Sequence, residues 1–362
     1  MTLKARLVRS AERSWTSSVK YVTSVDPAGA SPHQAAVIDE IRRDFGAAVP
    51  PLMVRFAVPD LFEALAGLMH GTLVSGRVPR FHKEAVSAAV SRTNQCPYCV
   101  DVHTLALGAV NRPDLATAIQ DGAPDRIPDP YLRRLVRWAA STREPDSEIL
   151  KAPPFGMEDA PEIIGTAVAF HYINRVVNVF LPASPLPVNS RLPGLGRLGR
   201  QVAKFMIGDA VRAGQPIRDT YGGPDLGLPA DLSWAAGDDA VRRAVGPFAA
   251  AAEAAGERSV PPAARQLVLQ RVQAWRGEDP GLGAAWAEAP LAGLDESDAA
   301  AARLCLLVAC ASYRVDEQEV ARFRVHHPGD DTLIDAVAWA SFAAARRIGG
   351  WLGAASGQPA MS

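Results

Sequence analysis

Apolar side chains recur three and four residues apart along this chain, and nowhere do they alternate for long. Residues 36–45, 60–70, 83–94, 97–110, 131–141 and 161–181 all place apolar groups at i, i+3 or i+4. That spacing lines one face of a helix. No segment shows sustained period-two alternation rich in Val, Ile and Thr, the pattern of a half-buried strand. The expected fold class is therefore all-α. Prolines supply the punctuation, because the ring removes a donor and clashes inside a helix. Pro50-Pro51, Pro59, Pro79, Pro128, Pro130 and Pro153-Pro154 each predict a helix start or end. Pro97 suits a first helical turn, and Asp60 is the expected cap of the helix over 60–70.

A chain of 362 residues, 48% hydrophobic and 21% charged, has the length of two domains and the composition of an ordinary folded protein. The longest Pro/Gly-rich break runs from Pro182 to Gly196, and a second from Gly222 to Pro229. They divide the chain into an N-terminal extension (1–30), a first lobe (31–185), a linker (186–224) and a second lobe (225–355). AVAFHYINRVVNVFL at 167–181 resembles AVAWASFAAARRIGGWL at 336–352, and WAASTREPDSEI at 138–149 can be laid on VACASYRVDEQEV at 308–320. Two matches at one offset predict a duplicated helical unit. The counterpart of 84–103 then falls at 254–273, which holds no Cys and no His.

Charge excludes some partners. A formal net charge of −1 gives no reason to expect nucleic acid. No run approaches the ~18 uninterrupted apolar residues of a membrane span, and the basic N-terminus has no apolar core behind it, so neither a membrane partner nor a secretory signal is expected. The four cysteines, Cys96, Cys99, Cys305 and Cys310, are too few for a disulfide scaffold. They predict a reducing, cytoplasmic compartment, where clustered thiols mean redox chemistry or metal.

The informative cluster is Glu84, Cys96, Cys99 and His103, spaced E-x11-C-x2-C-x3-H. With Pro97 just inside a helix, Cys96 lies at its cap and Cys99 one turn in. Cys96, Cys99 and His103 fall within a ~60° arc of one face. Two thiols at i and i+3 can cycle between dithiol and disulfide. The pKa of a thiol falls near a helix N-terminus or beside a histidine. His103 can take a proton from Cys99, and Glu84 can orient the imidazole. Such a thiolate opens a peroxide O–O bond to give sulfenic acid, which the second thiol condenses to a disulfide; an external dithiol must then reduce it. Three other readings fit the same residues less well. They are two buried core thiols, a zinc site using all four residues, which lacks a second CxxC or His pair, and a thioredoxin-like motif, which lacks its preceding strand.

The same residues resemble the signature of the alkylhydroperoxidase D (AhpD)-like group of the carboxymuconolactone decarboxylase superfamily, matched without a gap at Glu84, Cys96, Cys99 and His103. The resemblance extends over 50–107, and NRVVNVFL at 174–181 is similar to the group's closing helix. It implies an all-α fold that assembles into homo-oligomers, with the dithiol at the base of a small pocket and no cofactor or metal. It implies a peroxide substrate, an external dithiol reductant, Cys99 as peroxidatic thiol, Cys96 as resolving thiol, and Glu84 and His103 as proton relay. A duplicated chain would need fewer copies per oligomer than single-lobe relatives. Tyr98 stands where AhpD itself has a histidine. The alternative to a peroxidase is a non-catalytic thiol redox sensor or interaction protein.

Other features carry less. Gly194 to Gly199 spells GxGxxG, but no strand precedes it and no βαβ pattern surrounds it. The basic run 197–214 reads as a solvated helix. His171 reads as a core histidine or, with Tyr98, as a substrate-binding residue at the pocket. His70 and His82 read as surface or turn residues. Cys305 and Cys310, ~140° apart on a helix, read as isolated core thiols, and the seven tryptophans as core and interface bulk.

Overall fold

The computed structural model describes residues 8–12, 18–23, 27–185, 208–211, 226–281 and 283–356. Among these every regular element is helical. Proline occupies the first position of several helices, where its missing N–H leaves no bond unmade. These are α1 (Pro32–Phe45), α2 (Pro50–Met53), α3 (Pro59–Met69), then after α4 (Arg80–Thr93), α5 (Pro97–Ala109), α6 (Pro113–Gln120) and α7 (Pro130–Ala140). A short α8 (Glu148–Lys151) leads into α9 (Ala160–Phe180). The second half contributes α10 (Asp239–Ser259), α11 (Pro262–Ala274), α12 (Glu296–Ala311), α13 (Glu317–Arg324) and α14 (Asp330–Ala355).

Two long buried helices, α9 and α14, pack along each other, and one continuous apolar core surrounds them with residues from both halves. Trp138, Trp234 and Trp339 are among its largest buried side chains. α9 has the length and hydropathy of a membrane span, yet it is enclosed by this core. Element order repeats between the halves. α4, a tight turn and Pro97 opening α5 have their parallel in α10, a tight turn and Pro262 opening α11. α4 packs on α9 as α10 packs on α14.

Two local expectations are corrected. Asp60 does not cap α3: Pro59 takes the first helical position, Val58 becomes the cap, and Asp60 sits in the first turn. His70 is not a surface residue. The chain widens after Met69 into a buried π-turn, His70–Val74, and His70 Nδ1 lies 2.8 Å from Asp44 Oδ2 of α1. His82 is half-buried in the first turn of α4, its ring 5.2 Å from that of Tyr131. Cys305 and Cys310 are buried in α12, where burial pushes the Cys310 thiol up to about 11. The GxGxxG at 194–199 lies outside the described residues, as does the run 197–214 apart from helical residues 208–211.

Candidate active site

The turn that carries the thiols is set by backbone hydrogen bonding. The Cys96 N–H donates to Ser91 O at 2.9 Å and the Gln95 N–H to Arg92 O at 3.1 Å, the six-to-one and five-to-two pair that closes a helix on a left-handed residue. Gln95 is that residue, at φ 51°. Glycine usually serves there, and a side chain costs roughly 1–2 kcal/mol. Cys96 thus ends α4 and is also the cap of α5, with Pro97 next and Cys99 in the first turn. Both thiols are buried, Cys96 at 1% and Cys99 at 3% exposure.

Burial pushes the Cys96 thiol well above its ordinary range, and Cys99 beside it adds to the rise. The Cys99 backbone N–H and the Asn174 side chain act in the opposite sense. Tyr98, also buried, has its hydroxyl pushed up first by burial and then by Cys99 and Cys96, so it is neutral beside the two sulfurs. A cavity of about 440 Å³ adjoins the pair, lined by Cys96 with Arg92, Gln95, Asp101 and Gln120 among others. Cys99, one turn along α5, is not part of that lining.

His103 Nδ1 lies 2.6 Å from Glu84 Oε2, and its ring meets Phe170 edge-on at 4.5 Å. The helices α4 and α5 run back along each other, which returns Glu84 to His103 across 19 residues of chain. Bonding at Nδ1 leaves Nε2 as the ring nitrogen to meet a thiol or water. The other Glu84 oxygen, Oε1, accepts from Arg80 Nε at 3.1 Å. Burial alone would raise the Glu84 pKa, but His103 and Arg80 together draw it below the usual carboxylate value. Both carboxylate oxygens are engaged, which leaves Glu84 a poor zinc ligand.

The lowered Glu84 pKa gives a pH prediction. A carboxylate depressed in the folded state contributes stability above its unfolded pKa and loses it as pH falls through the folded value. Between about pH 5 and 3, the urea midpoint of Glu84→Gln is expected to fall less steeply than that of the unmodified protein. Parallel curves would show that the pair carries no such linkage.

His171 belongs to the scaffold beneath the turn. It is fully buried, and Thr142 Oγ1 donates to Ala139 O at 2.8 Å, so it accepts from His171 Nε2–H, also at 2.8 Å. His171 Nδ1 then accepts from Asn94 Nδ2 at 3.0 Å. Burial, with Arg175 and Arg143, holds His171 well below its ordinary pKa and therefore neutral. The chain of bonds continues from Asn94 to Asn174 Oδ1 at 3.0 Å and from Asn174 Nδ2 to Ser91 Oγ at 2.9 Å. The structure thus pairs Glu84 with His103 and sets Cys96, Cys99 and Tyr98 beside one another at the start of α5. Of these only Cys96 lines the cavity, and His171 belongs to the hydrogen-bonded scaffold with Thr142 and Asn94. Sequence reading missed Arg80, although its place four residues before Glu84 on one helix is a signal for such a pair. It also missed Asn94 and Asn174, for which no local pattern exists.

The carboxymuconolactone decarboxylase family matches residues 59–114, a span that holds Glu84, Cys96, Cys99 and His103. The chain is 37% identical over 339 residues to a Mycobacterium tuberculosis protein named alkyl hydroperoxide reductase, covering 93% of this chain and 96% of that one. No solved structure matches the chain.

Proposed function

Because the chain belongs to the AhpD-like carboxymuconolactone decarboxylase superfamily, we propose that it reduces an alkyl hydroperoxide or hydrogen peroxide with the Cys96–Cys99 dithiol. The observation that carries this reading is the part-buried Glu84–His103 hydrogen bond of 2.6 Å, on the same pair of helices as two adjacent thiols. His103 takes the Cys99 proton, and Glu84, fixed by Arg80, stabilises the imidazolium. The Cys99 thiolate attacks one peroxide oxygen. The O–O bond breaks, and the departing alkoxide or hydroxide takes the proton from His103 to leave as alcohol or water. Cys99 is now a sulfenic acid. The Cys96 sulfur attacks it, water leaves, and the disulfide forms. Two electrons from an external dithiol restore the pair.

The position of Cys99 supports it as first nucleophile, because it stands one helical turn before His103, the group that would take its proton. The cavity on the Cys96 side supports reductant attack at that sulfur, which releases Cys99 ready for the next peroxide. In this reading the second half, 225–355, is a counterpart of the first that keeps the helical frame without the dithiol.

The test is turnover. With excess dithiothreitol the protein is expected to consume many equivalents of cumene hydroperoxide per chain, with the Cys96–Cys99 disulfide seen by mass when reductant is withheld. Oxidation that stops after one equivalent would assign the pair to a redox switch instead.

A further inference from the structure

The half of the chain without the dithiol reaches the turn that carries it. Arg143, after α7, donates through Nη1 to Thr93 O at 3.4 Å, and through Nε to Gly277 O at 2.9 Å and Nη2 to Glu278 O at 3.3 Å. Its guanidinium lies over the Trp275 ring at 5.4 Å. Gly277, at φ 87°, comes so close that an added Cβ would stand 1.7 Å from Arg143 O. The loop is therefore shaped to this seat. Asn178 Nδ2 donates both to Asn94 O at 3.3 Å and to Ser312 Oγ at 3.0 Å. Gln95 Nε2 donates to Asp279 Oδ2 at 3.3 Å, and Asp279 is itself held by Tyr313 and Arg314. Of the three residues before Cys96, Gln95 is thus tied to the second half directly, and Thr93 and Asn94 through Arg143 and Asn178. Gln95 also forms part of the wall of two cavities, the one at Cys96 and another of about 570 Å³ that reaches Arg276 and Asp279.

We propose that the loop 275–279 is a strap that positions Cys96 for disulfide closure, with Asp279 and Arg143 as positioning residues acting through Gln95 and Thr93. A disulfide needs its two Cβ atoms about 3.5–4.5 Å apart. Cys96 sits directly after a residue whose left-handed backbone is unfavourable for glutamine. The bond from Asp279 holds that residue, and so keeps Cys96 over Cys99. Releasing it lets the turn relax and lowers the effective concentration of one sulfur at the other. The inference rests on the dithiol cycle proposed above, and its test is chosen to separate the two.

The reduced protein is equilibrated with oxidised and reduced dithiothreitol, and the Cys96–Cys99 disulfide is quantified by alkylation and mass. Two protein thiols lose two protons and two electrons to the dithiothreitol disulfide, so the equilibrium constant needs no peroxide. Asp279→Ala and Gln95→Met are each expected to lower it about two- to tenfold, the range one hydrogen bond supports. The double variant should fall no further than the singles, and Asp279→Asn, which keeps the acceptor oxygen, should recover most of the loss. Unchanged constants in both singles, or effects that multiply in the double, overturn the strap. An unmodified protein that forms no disulfide at all overturns the dithiol reading beneath it. Should Asp279→Ala fail to fold, Gln95→Met on the exposed side of the same bond decides the question.

Discussion

Cys99→Ser is expected to bring peroxide turnover down to the uncatalysed rate, a loss on the order of 10³-fold or more, while the protein keeps its fold. Serine is close to isosteric, so the buried site is little disturbed, but its hydroxyl does not ionise near neutral pH and cannot become the nucleophile. Cys96→Ser should behave differently. The first step survives, so one equivalent of peroxide is consumed and a Cys99 sulfenic acid accumulates, trappable with dimedone. Turnover then stalls because no resolving thiol remains. The contrast rests on the two environments. Cys96 caps α5 and lines the cavity, whereas Cys99 stands in the first turn of α5, four residues before His103 on the same helix. Dimedone trapping in Cys99→Ser but not in Cys96→Ser would reverse the assignment. Full turnover in Cys99→Ser would remove that thiol from the chemistry.

The parts of the molecule that were legible in the sequence are those set by short-range rules. The helix expected over 36–45 is Pro32–Phe45, that over 97–110 is Pro97–Ala109, and that over 161–181 is Ala160–Phe180. Apolar spacing and a proline at the first position are local signals, and packing reinforced them. The pairing of Glu84 with His103 was legible for the same reason, since two antiparallel helices joined by one turn hold both residues. His70 was misread because a polar residue after an apolar run looks like a helix end. Its partner Asp44 lies on α1, 26 residues earlier, and no periodicity announces it. Pro247 stands within the 21-residue helix α10, so a proline does not by itself mark a break. The scaffold under the dithiol turn, from His171 through Asn94 and Asn174 to Ser91, joins residues about 80 positions apart. Such pairings become visible only once α4 and α9 are packed.

Lys83 shows how much of the site's frame depends on pairings of that kind. It sits beside Glu84 on α4 and is fully buried, with Nζ 2.5 Å from Glu162 Oε2 in the first turn of α9 and 2.5 Å from Ser75 O. Glu162 also accepts from the Arg77 N–H at 2.8 Å and the Val78 N–H at 3.2 Å. The loop is pressed so close that a Cβ on Gly76, at φ 111°, would stand 2.2 Å from the carboxylate. Burial draws the Lys83 pKa down, and Glu162 opposes that effect. Removing two ions from water costs several kcal/mol each, and their attraction and hydrogen bonds offset this only while both are present. Lys83→Met is therefore expected to destabilise the protein by about 3–5 kcal/mol, because Glu162 remains as a buried anion without its cation. Replacing both, as Lys83→Met with Glu162→Gln, should restore a large part of the loss, since the stranded charge is gone. The comparison is of urea midpoints for the two singles and the double. A Lys83→Met variant within about 1 kcal/mol of the unmodified protein would show that the pair behaves like a surface salt bridge and does not hold α4, and Glu84 with it, against α9.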